Sequence, residues 1–203
     1  MKHLIVVITL LFFCTSGFSQ GDLIIEGLSE EAIPSSVKFE GKFKEARRWS
    51  DSLGDNLLII SETGVYETPD KYKNAELFAY HFILSGTSEL TWKIHDFEKE
   101  CQLDIEIEFL KNTLSITDLD KNGITEIWLI YKKACRGDVS PSEMKIIMYE
   151  GTQKYALRGE NKVKFSENEI YGGEYKFDHA FKGAPNKFRE FALKIWNNNV
   201  LQK

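Results

Sequence analysis

The stretch Asp118-Leu119-Asp120-Lys121-Asn122-Gly123-Ile124-Thr125-Glu126 sets oxygen donors at alternate positions. Asp118, Asp120 and Asn122 each offer a side-chain oxygen. The backbone carbonyl of Ile124 falls at the next alternate position, and Glu126 closes the series. Gly123 stands where such a loop must turn sharply. Hard cations such as calcium take roughly six to eight oxygens from carboxylates, amides and backbone carbonyls. The spacing therefore predicts a Ca2+ site of structural role, since an ion held by this many protein oxygens has little room for substrate. The competing reading is a metal-free turn in which Asp118 and Asn122 bond nearby backbone N–H groups. An EF-hand is excluded, because the position that needs a bidentate glutamate holds Leu129.

The remaining polar residues form no catalytic constellation. Asp104, Glu106 and Glu108 make an acidic stripe that reads as a solvated strand face; were the chain a glycan-active enzyme, Glu106 or Asp104 would do the acid–base work. His81, His95 and His179 lack metal-ligand spacing, and no Gly-x-Ser-x-Gly elbow occurs. No catalytic residue is assigned. Two residues are candidates for ligand contact. Trp49, beside a polar turn, could stack on a sugar ring, and the guanidinium of Arg136 could grip a carboxylate or phosphate. Cys101 and Cys135 predict one disulfide whose ring encloses the Asp118 loop and contributes on the order of 4 kcal/mol. Free buried thiols are the alternative.

The elements that must position these groups are mostly strands. Leu103, Ile105, Ile107 and Phe109 alternate with acidic residues, the period of a half-buried strand. Strands are also predicted over residues 37–47, 56–62, 76–84, 89–97, 127–131 and 144–149, with a further pair over 155–165 and 169–177. Residues 76–84 look buried on both faces. Leu90, Trp92 and Ile94 are expected on one side of their strand, and Gly172-Gly173 marks a bend. Only the C-terminus changes period. Phe188, Phe191, Ala192, Ile195 and Trp196 line one face of a helix over about 185–198. The fold class is mainly β (α+β), with antiparallel, propeller-blade-like strands and one C-terminal amphipathic helix. The polar loop at Trp49–Asn56 faintly echoes the Asp118 loop, since each precedes an apolar strand; two ordinary turns account for that more simply.

Lys2 and His3, the apolar run over residues 4–14 and the small residues Gly17 and Ser19 form a secretory signal peptide, residues 1–19. A lipid anchor on Cys14 is disfavoured by the large Phe13 before it. Residues 20–203 then form a single β-rich domain without a transmembrane segment, exported to the periplasm or beyond. The net charge of −5 gives no support for nucleic-acid binding and suits cations, a glycan or an envelope protein as partners.

Two resemblances add to this reading. The acidic loop resembles the calcium loops of FG-GAP and VCBS-type repeats, departing from them at Glu126, where aspartate is commoner. At longer range the chain resembles a family of exported Bacteroidota proteins labelled for surface-polysaccharide, or lipopolysaccharide, biosynthesis. The matching pieces include Arg48-Trp49-x-Asp51-x-Leu53-Gly54-Asp55-Asn56, Ala79-Tyr80-His81-Phe82, the Asp118 loop and Cys135-Arg136-Gly137-Asp138. The resemblance implies a role in making or displaying surface glycans, without assigning a reaction. The expectation is a non-catalytic cell-envelope domain; a glycan-active enzyme or a carbohydrate- or protein-binding module is the alternative.

Overall fold

Strands of alternating polarity build two antiparallel sheets across residues 23–201, the part of the chain described by the computed structural model. The predicted leader and its cleavage site lie outside the described residues. The first sheet contains β1 (Glu26–Leu28), β2 (Lys42–Asp51), β3 (Gly54–Glu62), β4 (Tyr66–Glu67), β5 (Lys73–Ser85) and β6 (Thr87–Cys101). The second contains β7 (Asp104–Phe109), β8 (Ser115–Thr117), β9 (Glu126–Arg136), β10 (Glu143–Glu150) and β11 (Gln153–Glu160). A small ribbon of β12 (Lys162–Lys164) and β13 (Ile170–Gly172) follows, and β14 (Tyr175–Phe177) rejoins the second sheet beside β11. The helix α1 (Asn186–Asn199) ends the fold.

Every apolar run longer than one alternation is explained by burial on both faces. In β3, Leu58 and Ile60 point into the core between the sheets, while Leu57 and Ile59 point outward. The outward face is covered by the N-terminal segment through Leu28, Ile33, Val37 and Phe39. In the second sheet, Ile127, Leu129 and Tyr131 face the first sheet, whereas Trp128 and Ile130 face α1. The molecule is therefore four layers thick: N-terminal cover, sheet, sheet, helix. Residues 76–84 behave as their pattern predicts, with Leu77 and Ala79 on the inner face and Phe78, Tyr80 and Phe82 on the outer.

Helix α1 buries Phe188, Ala192, Ile195 and Trp196 against Trp128, Met148 and Tyr155. Each large side chain so removed from water contributes about 1.5–3 kcal/mol. Pro185 is its N-cap rather than its first residue, and the helix runs through all three terminal asparagines before Val200.

Three sequence expectations need correction. Leu90 does not share a buried face with Trp92; the register of β5 against β6 shifts between His81 and Phe82, opposite a bulge at Thr91, and turns Leu90 outward. The predicted strand over 37–47 begins only at Lys42, because residues 37–40 leave the ladder to cover the first sheet. The predicted pair over 155–165 and 169–177 is broken into two registers, β11–β14 and β12–β13. The break lies at Gly172 and Gly173, both in the left-handed region; a side chain on Gly172 would strike the backbone of Asn161 and the ring of Pro141.

A disulfide joins Cys101, at the end of β6, to Cys135, in β9, with Cα atoms 5.8 Å apart. It ties the two sheets together, and its ring contains β7, β8 and the acidic loop.

Candidate metal centre

The loop between β8 and β9 is shaped by its own polar side chains. Asp118 accepts a hydrogen bond from the Gly123 N–H at 3.2 Å, and Asp120 accepts one from the Asn122 N–H at 3.2 Å. Asn122 in turn accepts from the Ile124 N–H at 2.7 Å. The chain is thereby wound around a small space, and the carboxylates of Asp118, Asp120 and Glu126 come within 4.8 Å of one another. Gly123 has φ of +82°, a backbone conformation that favours glycine, and a side chain there would displace the Ser52 hydroxyl.

Glu126 is fully buried. Its carboxylate accepts hydrogen bonds from the Thr117 hydroxyl at 2.6 Å and from the Leu119 N–H at 2.9 Å. The longer glutamate side chain thus folds back to clamp the entry of the loop. Burial, followed by repulsion from Asp120 and Asp118, raises the Glu126 pKa despite these donors. Glu150 lies directly across the ladder from Glu126 and receives the Asn122 amide N–H at 2.7 Å. Its pKa is raised too, by burial and by the same two aspartates. Four carboxylates therefore share one neighbourhood, in which Glu126 and Glu150 feel the charge of both aspartates.

Two parallel relays hold the loop to the cores. On one side, the Trp128 indole N–H donates to Thr117 at 3.0 Å, and Thr117 donates to Glu126. On the other, the Trp49 indole N–H donates to Thr125 at 2.8 Å, and Thr125 donates to Asp51 at 2.7 Å. The β2–β3 turn docks directly on the loop through the Ser52 N–H to the Gly123 carbonyl, 2.8 Å. The two loops that echo each other in sequence are thus packed together.

Of the five residues predicted to ligate an ion, the structure brings Asp118, Asp120 and Glu126 together. Asn122 joins them through Asp120, and Ile124 occupies the same loop, bonded to Asn122. The donor set is all oxygen and anionic, the chemistry that a hard cation takes, and Asp118 and Asn122 also make the backbone bonds expected of a metal-free turn. Glu150, bonded to Asn122, and Asp51, bonded to Thr125, brace the loop but carry no local signal; only strand pairing and the docking of a distant turn bring them in.

The two predicted ligand-contact residues stand elsewhere. Trp49 is 2% exposed and packed in the interlayer core, so it offers no stacking platform. The polar turn beside it is polar because it binds the acidic loop, not because it faces solvent. Arg136 is largely enclosed, with one guanidinium nitrogen on Glu106 at 2.8 Å. Glu106 also accepts from the Ser142 hydroxyl, so the middle of the acidic stripe is engaged within the fold, while Asp104 pairs with Lys73 at the surface.

Two further buried polar groups brace the interior. His81 is held between Asn56 and Thr91, and burial pushes its pKa down to about 4, so it is neutral at pH 7. It also stacks on Trp92, which stacks on Tyr149 of the opposite sheet with centroids 4.2 Å apart. Asp96 lies between Lys133 at 3.0 Å and Lys145 at 2.7 Å and accepts from the Tyr131 hydroxyl. Burial opposes its ionisation, but the hydrogen bonds from Lys145 and Lys133 prevail and hold its pKa at about 2.

Fold and loop together define an antiparallel two-sheet protein with an acidic loop locked beside its interlayer core. No family model matches the chain, and neither does any curated protein or solved structure. Among the described residues, no helix is long and apolar enough to cross a membrane.

Proposed function

We propose that this chain is an exported, non-catalytic β-domain of the cell envelope, stabilised by one calcium ion in the Asp118 loop. The observation that carries the ion assignment is the convergence of Asp118, Asp120 and Glu126 within 4.8 Å. Asp118, Asp120, Asn122 and Glu126 would supply side-chain oxygens, and the Ile124 carbonyl would complete the set. The ion would offset the burial of charge and the lesser repulsion from Asp120 and Asp118 that together raise the Glu126 and Glu150 pKa values. The Cys101–Cys135 disulfide supports an oxidising compartment, and so the export reading.

The role in surface-polysaccharide assembly or display rests on the family resemblance of the Arg48–Asn56, Asp118 and Cys135–Asp138 segments. A domain whose polar interior is consumed by bracing contacts suits binding and display better than turnover. Calorimetry with calcium and with a chelator tests the ion: the melting temperature should rise with calcium, and an unchanged value sinks the site. Deletion of the gene followed by profiling of envelope polysaccharide tests the role; an unaltered profile removes it.

A further inference from the structure

Register alignment places Tyr131, Lys145, Arg158 and Lys176 side by side on the inner face of the second sheet. Lys145 is neutralised by Asp96 of the first sheet. Beyond it the first sheet no longer covers this face, and Arg158 and Lys176 are exposed. Together with Lys182 they line a cleft of about 490 Å³, within the size range of saccharide and small-molecule sites. Lys154 lies two residues along β11 on the same face as Arg158, with its ammonium over the Tyr149 ring at 5.9 Å. Among the described residues, Lys154, Arg158, Lys176 and Lys182 take part in no ion pair. Partial burial, followed by the adjacent Arg158 charge, pushes the Lys154 pKa down, against the weaker opposing pull of Asp96 and Asp178. A chain of net charge −5 thus brings Arg158, Lys176 and Lys182 to one cleft, with Lys154 nearby on the β11 face.

We propose that this cleft binds an acidic oligosaccharide whose sugars carry carboxylates. Adjacent strands set Arg158 and Lys176 about 4.5–5.5 Å apart at the backbone, a spacing on the scale of one sugar residue. Arg158 suits a carboxylate because its planar fork accepts one in bidentate fashion. Asp178 lines the same cleft, and its Oδ1 is buried without a hydrogen-bond donor. That carboxylate opposes a fully charged polyphosphate and suits a ligand whose acid groups are separated by hydroxyls. The inference rests on the envelope reading for its ligand class, and it names the part of a surface glycan that this domain would hold.

The test is titration calorimetry of the full mature chain with tetragalacturonate, with maltotetraose as the neutral control. Binding should weaken as salt rises. It should fall by about a hundredfold in R158Q/K176Q, since each of the two charge-assisted contacts contributes about a factor of ten. K182Q, outside the sheet, provides a second variant, and a melting curve confirms that each variant is folded. The proposal is overturned by absent binding, by binding unchanged in both folded variants, by equal binding of maltotetraose, or by a preference for pyrophosphate or for phosphatidylglycerol vesicles. Because this measurement uses purified protein and a defined saccharide, its failure leaves the calcium response and the polysaccharide profile standing. An unaltered profile beside clear binding removes only the envelope role.

Discussion

Replacing both half-cystines, as C101S/C135S, tests the strongest covalent constraint in the fold. The bridge spans a sequence separation of 34 residues. Closing a loop of that length restricts the unfolded chain by about 4 kcal/mol at 25 °C. The native side should change little, because Ile105 still pairs with Cys135's position in the β7–β9 ladder and β8 still pairs with β9. The loss should therefore appear almost wholly as a less constrained unfolded state. Urea unfolding should show a stability lower by about 4 kcal/mol, with a slightly steeper denaturant dependence as the unfolded chain expands. On heating, that corresponds to a melting point lower by roughly 8–16 °C for a chain of this size. A loss of less than about 1 kcal/mol, with the native spectrum intact, would refute the reasoning. It would mean that the unfolded chain already keeps the two sheets' ends together without the bond.

Other perturbations probe the polar interior. D96N should cost about 2 kcal/mol at pH 7, since the Asp96 pKa falls from its ordinary 3.8 to about 2. That contribution is complete above the unfolded pKa and disappears as pH drops through the folded one, so the acid limb of the wild-type melting curve, between about pH 4 and 2, should flatten in the variant. Glu126 and Glu150 have the opposite sign: their raised pKa values make the calcium-free fold lose stability as pH rises through them. The melting-point gain from calcium should accordingly be larger at pH 7.5 than at pH 5, and E126Q should abolish most of it; a gain independent of pH counts against coupling between ion and protons. W49F removes the indole donor to Thr125 and should cost about 1–2 kcal/mol. Combining it with T125V in a double-mutant cycle should give less than the sum of the single losses if the relay to Asp51 acts as a unit.

Strand identity and the acidic loop were legible from residues alone because both depend on short-range order. The alternation of Leu103 to Phe109, the two-sided burial of residues 76–84 and the helical stripe from Phe188 to Trp196 each report a local period. Asp118, Asp120 and Asn122 announce their loop because their oxygens bond backbone groups only two to five residues away. Long-range partners carry no such mark. The turn containing Asp51 and Ser52 looked like an exposed polar hairpin beside an available tryptophan, and only docking against Thr125 and Gly123 turned that polarity inward and buried Trp49.

By itself, then, the amino-acid sequence determined which segments would be strands, which end would coil into a helix, which cysteines could meet and where oxygen donors would cluster. These follow from side-chain period, turn chemistry and residue type, all of which act within a few bonds of the residue concerned. Tertiary structure alone decided that Glu150 would face Glu126 across a ladder, that Asp96 would draw Lys133 and Lys145 to itself, and that Arg158 and Lys176 would stand side by side outside the ion pairs of the described residues. The physical reason is that strand register, sheet overlap and the edge of coverage are set by packing the whole core at once, and no local pattern encodes which charges that packing will leave unmatched.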